Sequence, residues 1–188
     1  MTHTLKIAAL CGSLREASLN RAMLNAAADL APDGMEVTVH RLNDTPAFNE
    51  EFEAEGWPAP VKTLRDAIEA ADGVIFGTPE YNFSVPGVLK NAIDWLSRPA
   101  GKAPLFRKPC AIMGASQGAF GTIRAQMHLR EICHYNAMPT LAKPEILIMK
   151  AGDKFKDGAL TDEMTRGLIK DAMTNLAAMI HTEKGDAQ

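Results

Sequence analysis

The chain has 188 residues, of which 46% are hydrophobic and 23% charged, and its formal net charge is −3. This balance is typical of a globular protein of ordinary size, and we predict a single domain over residues 1–188. The nearly balanced charge excludes the strongly basic surface of a nucleic-acid-binding protein, so no nucleic-acid partner is expected.

The cysteines and the first apolar run exclude further classes of protein. Cys11, Cys110 and Cys133 cannot all pair with one another, and they show no CxxC or Cys/His ligand spacing. A disulfide scaffold and a zinc site are therefore not expected. The apolar run at residues 7–11 is too short for a signal-peptide core or a bilayer span, so we expect no membrane partner and a cytoplasmic location.

Along the chain, short apolar runs alternate with longer segments of helical period, which is typical of a parallel sheet covered by helices. In the first half, the pattern predicts a strand at 5–11, a helix at 20–30, a strand at 36–41, a helix at 61–71 and a strand at 73–78. The strand at 36–41 alternates Val37 and Val39 with polar neighbours, which favours a sheet edge. The wholly apolar Val74, Ile75 and Phe76 favour a central strand.

The second half continues the alternation with a helix from about 84 to 96, a strand at 110–115, a helix at 122–133, a strand at 145–149 and a closing helix at 161–181. Five strands and five helices predict a doubly wound α/β fold, either flavodoxin-like or a Rossmann variant, with helices on both faces of a five-stranded parallel sheet. Residues 43–60 are too long for a plain turn and are rich in aromatic residues. We interpret them as an ordered surface excursion at a subunit contact.

In such a sheet, ligands bind outside the carboxyl ends of the strands, where the winding reverses. The loop after the first strand reads GSLREASLN and ends at a helix N-terminus. Free backbone N–H groups, the helix dipole and the Arg15 guanidinium are the parts of a phosphate site. The alternative is that Ser18 only caps the helix and Arg15 is a solvated surface residue. Neither GxxxxGK[ST] nor GxGxxG is present, which argues against nucleotide hydrolysis and conventional dinucleotide binding.

Two more loops follow the third and fourth strands. The first contains PEYNFSVPG, in which prolines fix the backbone and aim main-chain groups outward toward a flat heteroaromatic ligand. The second reads GASQGAFG, whose glycines permit close approach of a ligand to the backbone.

Together, the strings GSLREASLN, TPEYNFSVPGVLKNAIDWLSR and GASQGAFGTIRAQMHLR resemble the NADPH-dependent FMN reductase family, which has a flavodoxin-like fold. The resemblance runs from Leu5 to about Ile148. It implies that the FMN phosphate binds Ser13, Arg15, Ser18 and Asn20. It also implies that the isoalloxazine lies against Pro79, Glu80, Tyr81 and Asn82, with Ser116 and Gly118 on the other side. The chain departs from the family pattern at Thr122, where many members have glycine.

The resemblance also implies a function and an assembly. The expected enzyme uses FMN and takes electrons from NADPH or NADH. It passes two electrons in ping-pong order to a small acceptor such as a quinone, chromate, an azo dye or free flavin. A homodimer or a dimer of dimers is expected. Glu80 is weighed as a proton donor, although the flavin itself carries the chemistry. The alternatives are a flavodoxin-like one-electron carrier that docks on proteins, and a binding module that has lost its flavin.

Overall fold

A five-stranded, wholly parallel sheet forms the centre of the protein in the computed structural model, which describes residues 4–185. The strands are β1 (Leu5–Cys11), β2 (Met35–Arg41), β3 (Gly73–Gly77), β4 (Cys110–Ala115) and β5 (Ile146–Ile148). Their order in the sheet is β2-β1-β3-β4-β5, which is the flavodoxin-like order. The predicted doubly wound fold is confirmed, and so are the edge position of β2 and the central position of β3.

The helices are α1 (Leu19–Asp29), α2 (Glu51–Glu55), α3 (Ala59–Ala70), α4 (Gly87–Leu96), α5 (Ile123–Tyr135) and α6 (Glu163–Lys184). Alternate residues of β1 point to opposite faces, as the two-residue period of a strand requires. Ile7 and Ala9 pack in one cluster with α1 and α6. Ala8 and Leu10 pack in a second cluster with α3, α4 and α5. The sheet therefore has an apolar core on each face, as predicted.

Four short elements lie outside the predicted pattern. They are α2, a 3₁₀ turn at Ala151–Lys154, and an antiparallel pair made by β6 (Phe155–Lys156) and β7 (Ala159–Leu160). Each is too short to show a helical or strand period in the sequence. The predicted closing helix also begins later, because Asp162 caps it by accepting a hydrogen bond from the Thr165 N–H at 3.0 Å.

The excursion at residues 43–60 folds over Trp95, which is fully buried. The Trp95 indole N–H donates to the Pro46 carbonyl at 2.9 Å. The rings of Phe48 and Trp57 meet it edge-on, with centroid distances of 4.9 and 6.0 Å. These contacts confirm that the excursion is ordered. Its role at a subunit contact stays a prediction.

Neither a membrane-spanning helix nor a metal-binding cluster occurs among residues 4–185. None of the helices in this range combines the length and the hydropathy needed to cross a bilayer. No group of three or more His, Cys, Asp or Glu side chains in that part of the chain is arranged to hold a metal ion.

Gly114 of β4 gives a test of how closely the sheet end packs against the start of α5. A Cβ at this position would lie 2.7 Å from the Thr78 carbonyl oxygen and 2.9 Å from Thr122 Cβ. Gly114→Ala should therefore lower the free energy of unfolding by about 1–3 kcal/mol, because overpacking displaces neighbouring backbone. Urea unfolding measures this.

The matched control is Gly167, which lies inside α6 and where an added Cβ would have no heavy atom within 4 Å. Gly167→Ala should raise the free energy of unfolding by about 0.5–1 kcal/mol, since it removes backbone freedom from the unfolded chain. Equal stability of the parent and Gly114→Ala would contradict the close packing at β4.

Candidate active site

The loops after β1, β3 and β4 enclose a cleft of about 130 Å³ at the carboxyl edge of the sheet. Parallel strands end at the same edge, so these three loops are neighbours although they are far apart in sequence. All predicted site residues except Asn82 and Gly118 line this cleft. The lining residues are Ser13, Arg15, Ser18, Leu19, Asn20, Pro79, Glu80, Tyr81, Ala115, Ser116 and Gln117.

The β1–α1 loop offers hydrogen-bond donors that the protein itself does not use. The last hydrogen bond that continues the pairing of β1 with β3 is donated by the Gly12 N–H to the Gly77 carbonyl at 2.8 Å. Beyond it, no backbone N–H of residues 13–18 donates to another group within the described residues 4–185. The loop leads directly into the N-terminus of α1, where further N–H groups and the helix dipole favour an anion.

Arg15 is the charged residue of this loop that is available to bind an anion, because Glu16 is already paired. Arg41 and Arg21 both contact the Glu16 carboxylate. Hydrogen bonding from Arg41, together with its charge, lowers the pKa of Glu16 below its ordinary value. Arg15, by contrast, makes no ion pair or hydrogen bond inside the stretch 4–185. It is therefore the cation that an anion in the cleft would meet.

Ser18 both caps α1 and lines the cleft. Its Oγ accepts a hydrogen bond from the Arg21 N–H at 3.2 Å, which confirms the predicted cap. A hydroxyl that accepts through its oxygen still has its own proton to donate. Capping and ligand binding are thus compatible at Ser18. The neighbouring Cys11 is fully buried, and its Sγ donates to the Ser13 carbonyl at 3.5 Å.

Asn20 is buried and joins α1 to the end of β4. Its Nδ2 donates to the Ala115 carbonyl at 3.0 Å, and its Oδ1 accepts from the Ala115 N–H at 2.9 Å. These two hydrogen bonds satisfy the N–H and the carbonyl of Ala115, the last residue of β4, as pairing with a further strand would. Asn20 therefore fixes the distance between the β1–α1 loop and the β4–α5 loop. One N–H of its amide remains for a ligand.

The β3–α4 loop turns back sharply at Tyr81–Ser84. Tyr81 N–H donates to the Ser84 carbonyl at 3.1 Å and Ser84 N–H donates to the Tyr81 carbonyl at 3.0 Å. The two central residues, Asn82 and Phe83, have φ values of 50° and 62°. Positive φ at both positions defines a type I′ turn. Asn82 lies at the tip of this turn, which explains why it does not line the cleft.

The Glu80 carboxylate spans from the β3–α4 loop to the start of α5. It accepts hydrogen bonds from the backbone N–H groups of Arg124 at 2.9 Å and Ala125 at 3.3 Å. It also pairs with Arg124 Nη1 at 3.0 Å. Thr122, the N-cap residue of α5, makes no side-chain cap bond. Glu80, which belongs to the β3–α4 loop, caps the helix instead. These contacts use Glu80 as an acceptor and do not favour a role as proton donor.

The β4–α5 loop is held by the Ser116 side chain and by the backbone of the segment after β5. Ser116 Oγ accepts from the Gly118 N–H at 3.0 Å, and the Gly118 carbonyl accepts from the Lys150 N–H at 3.0 Å. Gly118 is thus turned toward the segment after β5 and does not line the cleft. Thr122 adopts the left-handed conformation, with φ at 70°, and is buried. Thr122 therefore adopts a backbone conformation that glycine would adopt at less cost.

Three lining residues were not predicted: Leu19, Ala115 and Gln117. Each is a sequence neighbour of a predicted residue, so loop membership was the signal that could have found it. Arg124 was also missed. It occurs in the third string, but nothing in the sequence indicates that its partner is Glu80, which lies 44 residues earlier.

Comparison with known proteins places this site in a family. The profile of NADPH-dependent FMN reductases matches residues 5–153. The chain belongs to this family. The match confirms the resemblance carried by the three loop strings, and with it the predicted enzyme class.

Individual relatives agree with this membership over nearly the whole chain. An NAD(P)H-dependent FMN reductase of Pseudomonas aeruginosa is 42% identical over 98% of this chain and 100% of its own length. A quinone reductase of Pseudomonas putida is 37% identical, with 96% of this chain and 97% of the relative covered. The solved structure of FerB, a flavoenzyme NAD(P)H:(acceptor) oxidoreductase of Paracoccus denitrificans, superposes with a TM-score of 0.86 at 33% identity, covering 95% of this chain and 98% of that one.

The contact between Asn20 and β4 can be tested directly. Asn20→Ala would leave the buried N–H and carbonyl of Ala115 without partners. The free energy of unfolding should fall by about 1–3 kcal/mol, because unsatisfied buried groups keep their full desolvation cost. Thermal or urea unfolding of the protein without any ligand measures it.

Asn25→Ala is the matched control, since Asn25 lies on α1 but is exposed. It should change the free energy of unfolding by less than about 0.5 kcal/mol. If Asn20→Ala were as stable as this control, the proposed connection between the two loops would be wrong.

Proposed function

We propose that this protein is an FMN-dependent NAD(P)H oxidoreductase that reduces quinones and similar electron-poor acceptors by two electrons. The observation that carries the proposal is the cleft at the carboxyl edge. There, a loop of unused N–H donors with an unpaired Arg15 faces a rigid loop containing Pro79 and Tyr81. Relatives named as FMN and quinone reductases support it. Chromate, azo dyes and free flavin are further acceptors of the same electron-poor kind.

The residues of the cleft fit FMN. The ribityl phosphate is an anion, and Ser13, Arg15 and Ser18 provide hydroxyl and guanidinium donors beside the unused N–H groups of residues 13–18. Asn20 adds one amide N–H. We propose that Pro79, Glu80, Tyr81 and Asn82 line the isoalloxazine through their main chain, and that Ser116 and Gly118 flank its other side.

When bound, FMN supplies the electron chemistry, accepting a hydride from NADPH or NADH and passing two electrons on to the acceptor. The chain itself binds and orients. Of the two charged side chains that line the cleft, Arg15 is suited to holding the phosphate and Glu80 is engaged at the start of α5. We therefore assign no protein side chain as a general acid or base.

A one-electron carrier is the alternative, and the charge distribution argues against it. Such carriers tend to be markedly acidic around the flavin, whereas the net charge here is −3 and the phosphate loop contains Arg15.

Because the proposed reaction draws on NAD(P)H, we also propose that the protein acts in the cytoplasm. We further propose that residues 1–188 form one functional domain.

The direct test is anaerobic titration of the FMN-loaded protein with NADPH and, separately, with NADH, followed by a quinone. One equivalent of the donor should bleach the flavin absorbance before any acceptor is present, and the quinone should restore it. A flavin that NADPH and NADH both fail to reduce would contradict the oxidoreductase and favour the carrier.

Arg15 tests the phosphate site. Arg15→Ala should weaken FMN binding about tenfold to a hundredfold, which corresponds to the roughly 1.5–3 kcal/mol of a charge-assisted bond. Riboflavin, which lacks the phosphate, is the matched ligand control, and its affinity should not change. Fluorescence quenching of each flavin gives both dissociation constants. Equal affinity of the parent protein for FMN and riboflavin would refute the phosphate site.

Assembly is a separate proposal that rests on an exposed apolar surface next to the cleft. Ile123 and Met127 lie one turn apart on α5 and are exposed, Met127 to 61%. Phe83 and Phe120 adjoin the start of this helix and are also exposed. Monomeric proteins rarely leave such a patch in water. We propose that it is covered by a second copy of the chain, in a homodimer or a dimer of dimers.

Met127→Glu should therefore convert the assembly to monomers at micromolar concentration, since a charge would be buried without a partner. Met164→Glu is the control, because Met164 is 78% exposed on α6 and lies outside the patch. Light scattering distinguishes the species. A parent protein that scatters as a 20.3 kDa monomer with full reductase activity would rule out the dimer.

A further inference from the structure

The side chain of Arg124 contacts two of the three loops that enclose the cleft. Its guanidinium carbon lies 4.1 Å from the ring centroid of Phe83 and 4.3 Å from that of Phe120. Both distances are within the range of cation–π contact. Phe83 belongs to the β3–α4 loop and Phe120 to the β4–α5 loop. At the same time, Arg124 Nη1 pairs with Glu80 at 3.0 Å. A single side chain thus connects three groups from two loops.

The β3–α4 loop needs such support because its turn is strained. Asn82 and Phe83 both have positive φ, and a bulky residue such as phenylalanine rarely adopts that conformation. A strained turn persists only where surrounding contacts hold it. Three side-chain interactions tie this turn to α5: the hydrogen bonds of Glu80, the stacking of Phe83 on Arg124, and the contact of the Ser84 hydroxyl with His128 Nδ1 at 2.9 Å.

Arg124 also compensates the negative charge of Glu80 beside the cleft. The Glu80 carboxylate lines the cleft and is only 11% exposed, so water screens its negative charge poorly. The Arg124 guanidinium and the N-terminus of α5 both oppose that charge. Two-electron reduction adds negative charge to a flavin at neutral pH. An uncompensated Glu80 would therefore disfavour the reduced form more than the oxidised form.

We propose that Arg124 is a positioning residue with two separable effects on the cleft. Its flat guanidinium, stacked between Phe83 and Phe120, holds the Tyr81–Ser84 turn in place. Its positive charge neutralises Glu80 and thereby keeps the flavin reduction potential from falling. The inference rests on the proposed function for the second effect only. The first concerns the protein without any flavin.

Two variants separate these effects. Lysine is a compact point charge without the planar group that stacks on rings, whereas glutamine is neutral. Arg124→Lys should therefore keep the charge effect and lose the stacking effect. Arg124→Gln should lose both. Arg98→Gln is the matched control, because Arg98 pairs with Glu53 at 2.9 Å and is 37% exposed, compared with 33% for Arg124, but lies outside the cleft.

The first measurement is hydrogen exchange of the flavin-free protein at the Tyr81 and Ser84 N–H groups, each of which donates to the other residue's carbonyl across the turn. Exchange should be at least about tenfold faster in both Arg124 variants and unchanged in Arg98→Gln. All proteins are compared at a concentration where light scattering gives the same mass. Phe83→Leu removes one ring and keeps both charges, so it should also speed exchange even if Arg124→Gln fails to fold.

The second measurement is the two-electron midpoint potential of bound FMN. In Arg124→Gln, the reduced flavin should bind about tenfold less tightly relative to the oxidised flavin, which lowers the potential by about 30 mV. Arg124→Lys and Phe83→Leu should keep the parent potential.

The outcomes are distinct. Parent-like exchange in Arg124→Lys and Phe83→Leu would overturn the stacking role, and a parent-like potential in Arg124→Gln would overturn the charge role. Failure of the parent protein to bind FMN would instead refute the proposed function, and the exchange measurement would still decide the role of Arg124 in the turn.

Discussion

Parallel pairing of the five strands is the constraint on which the rest of the structure depends. Parallel strands require a crossover after each strand, so every loop that follows a strand emerges at one edge of the sheet. The winding reverses between β1 and β3, which lie side by side in the sheet. The β1–α1 and β3–α4 loops therefore diverge to opposite faces and leave a cleft between them. The position of the site follows from backbone topology before any side chain is considered.

Side chains then hold the three loops at fixed distances. Asn20 bonds to the Ala115 backbone, and Glu80 bonds to the first N–H groups of α5. Arg124 adds its contacts with Phe83 and Phe120. The polar side chains of Asn20, Glu80 and Arg124 are thus used to build the cleft, and Arg15, the unused N–H groups and the hydroxyls of Ser13 and Ser18 remain for a ligand. This division agrees with a flavoenzyme in which the protein positions a cofactor and the cofactor reacts.

The sequence predicted those features that depend on local pattern. Strand and helix period predicted the order of elements, and the position of GSLREASLN after the first strand predicted that this loop, with Arg15, lies at the cleft. Its role as a phosphate site stays a proposal. Contacts between distant segments could not be predicted. The hydrogen bond from the Arg124 N–H to Glu80 joins residues that are 44 apart, and no period or motif in the sequence indicates it. The left-handed Thr122 likewise depends on its buried surroundings rather than on an intrinsic preference of threonine.

In the proposed mechanism, one cleft serves both the electron donor and the electron acceptor in turn. Steady-state kinetics with varied NADPH at several fixed quinone concentrations tests this most directly. One shared site predicts parallel lines in double-reciprocal plots, and competitive inhibition against NADPH at high quinone. Lines that intersect in the manner of a ternary complex would contradict the shared site, because they would require donor and acceptor to be bound together.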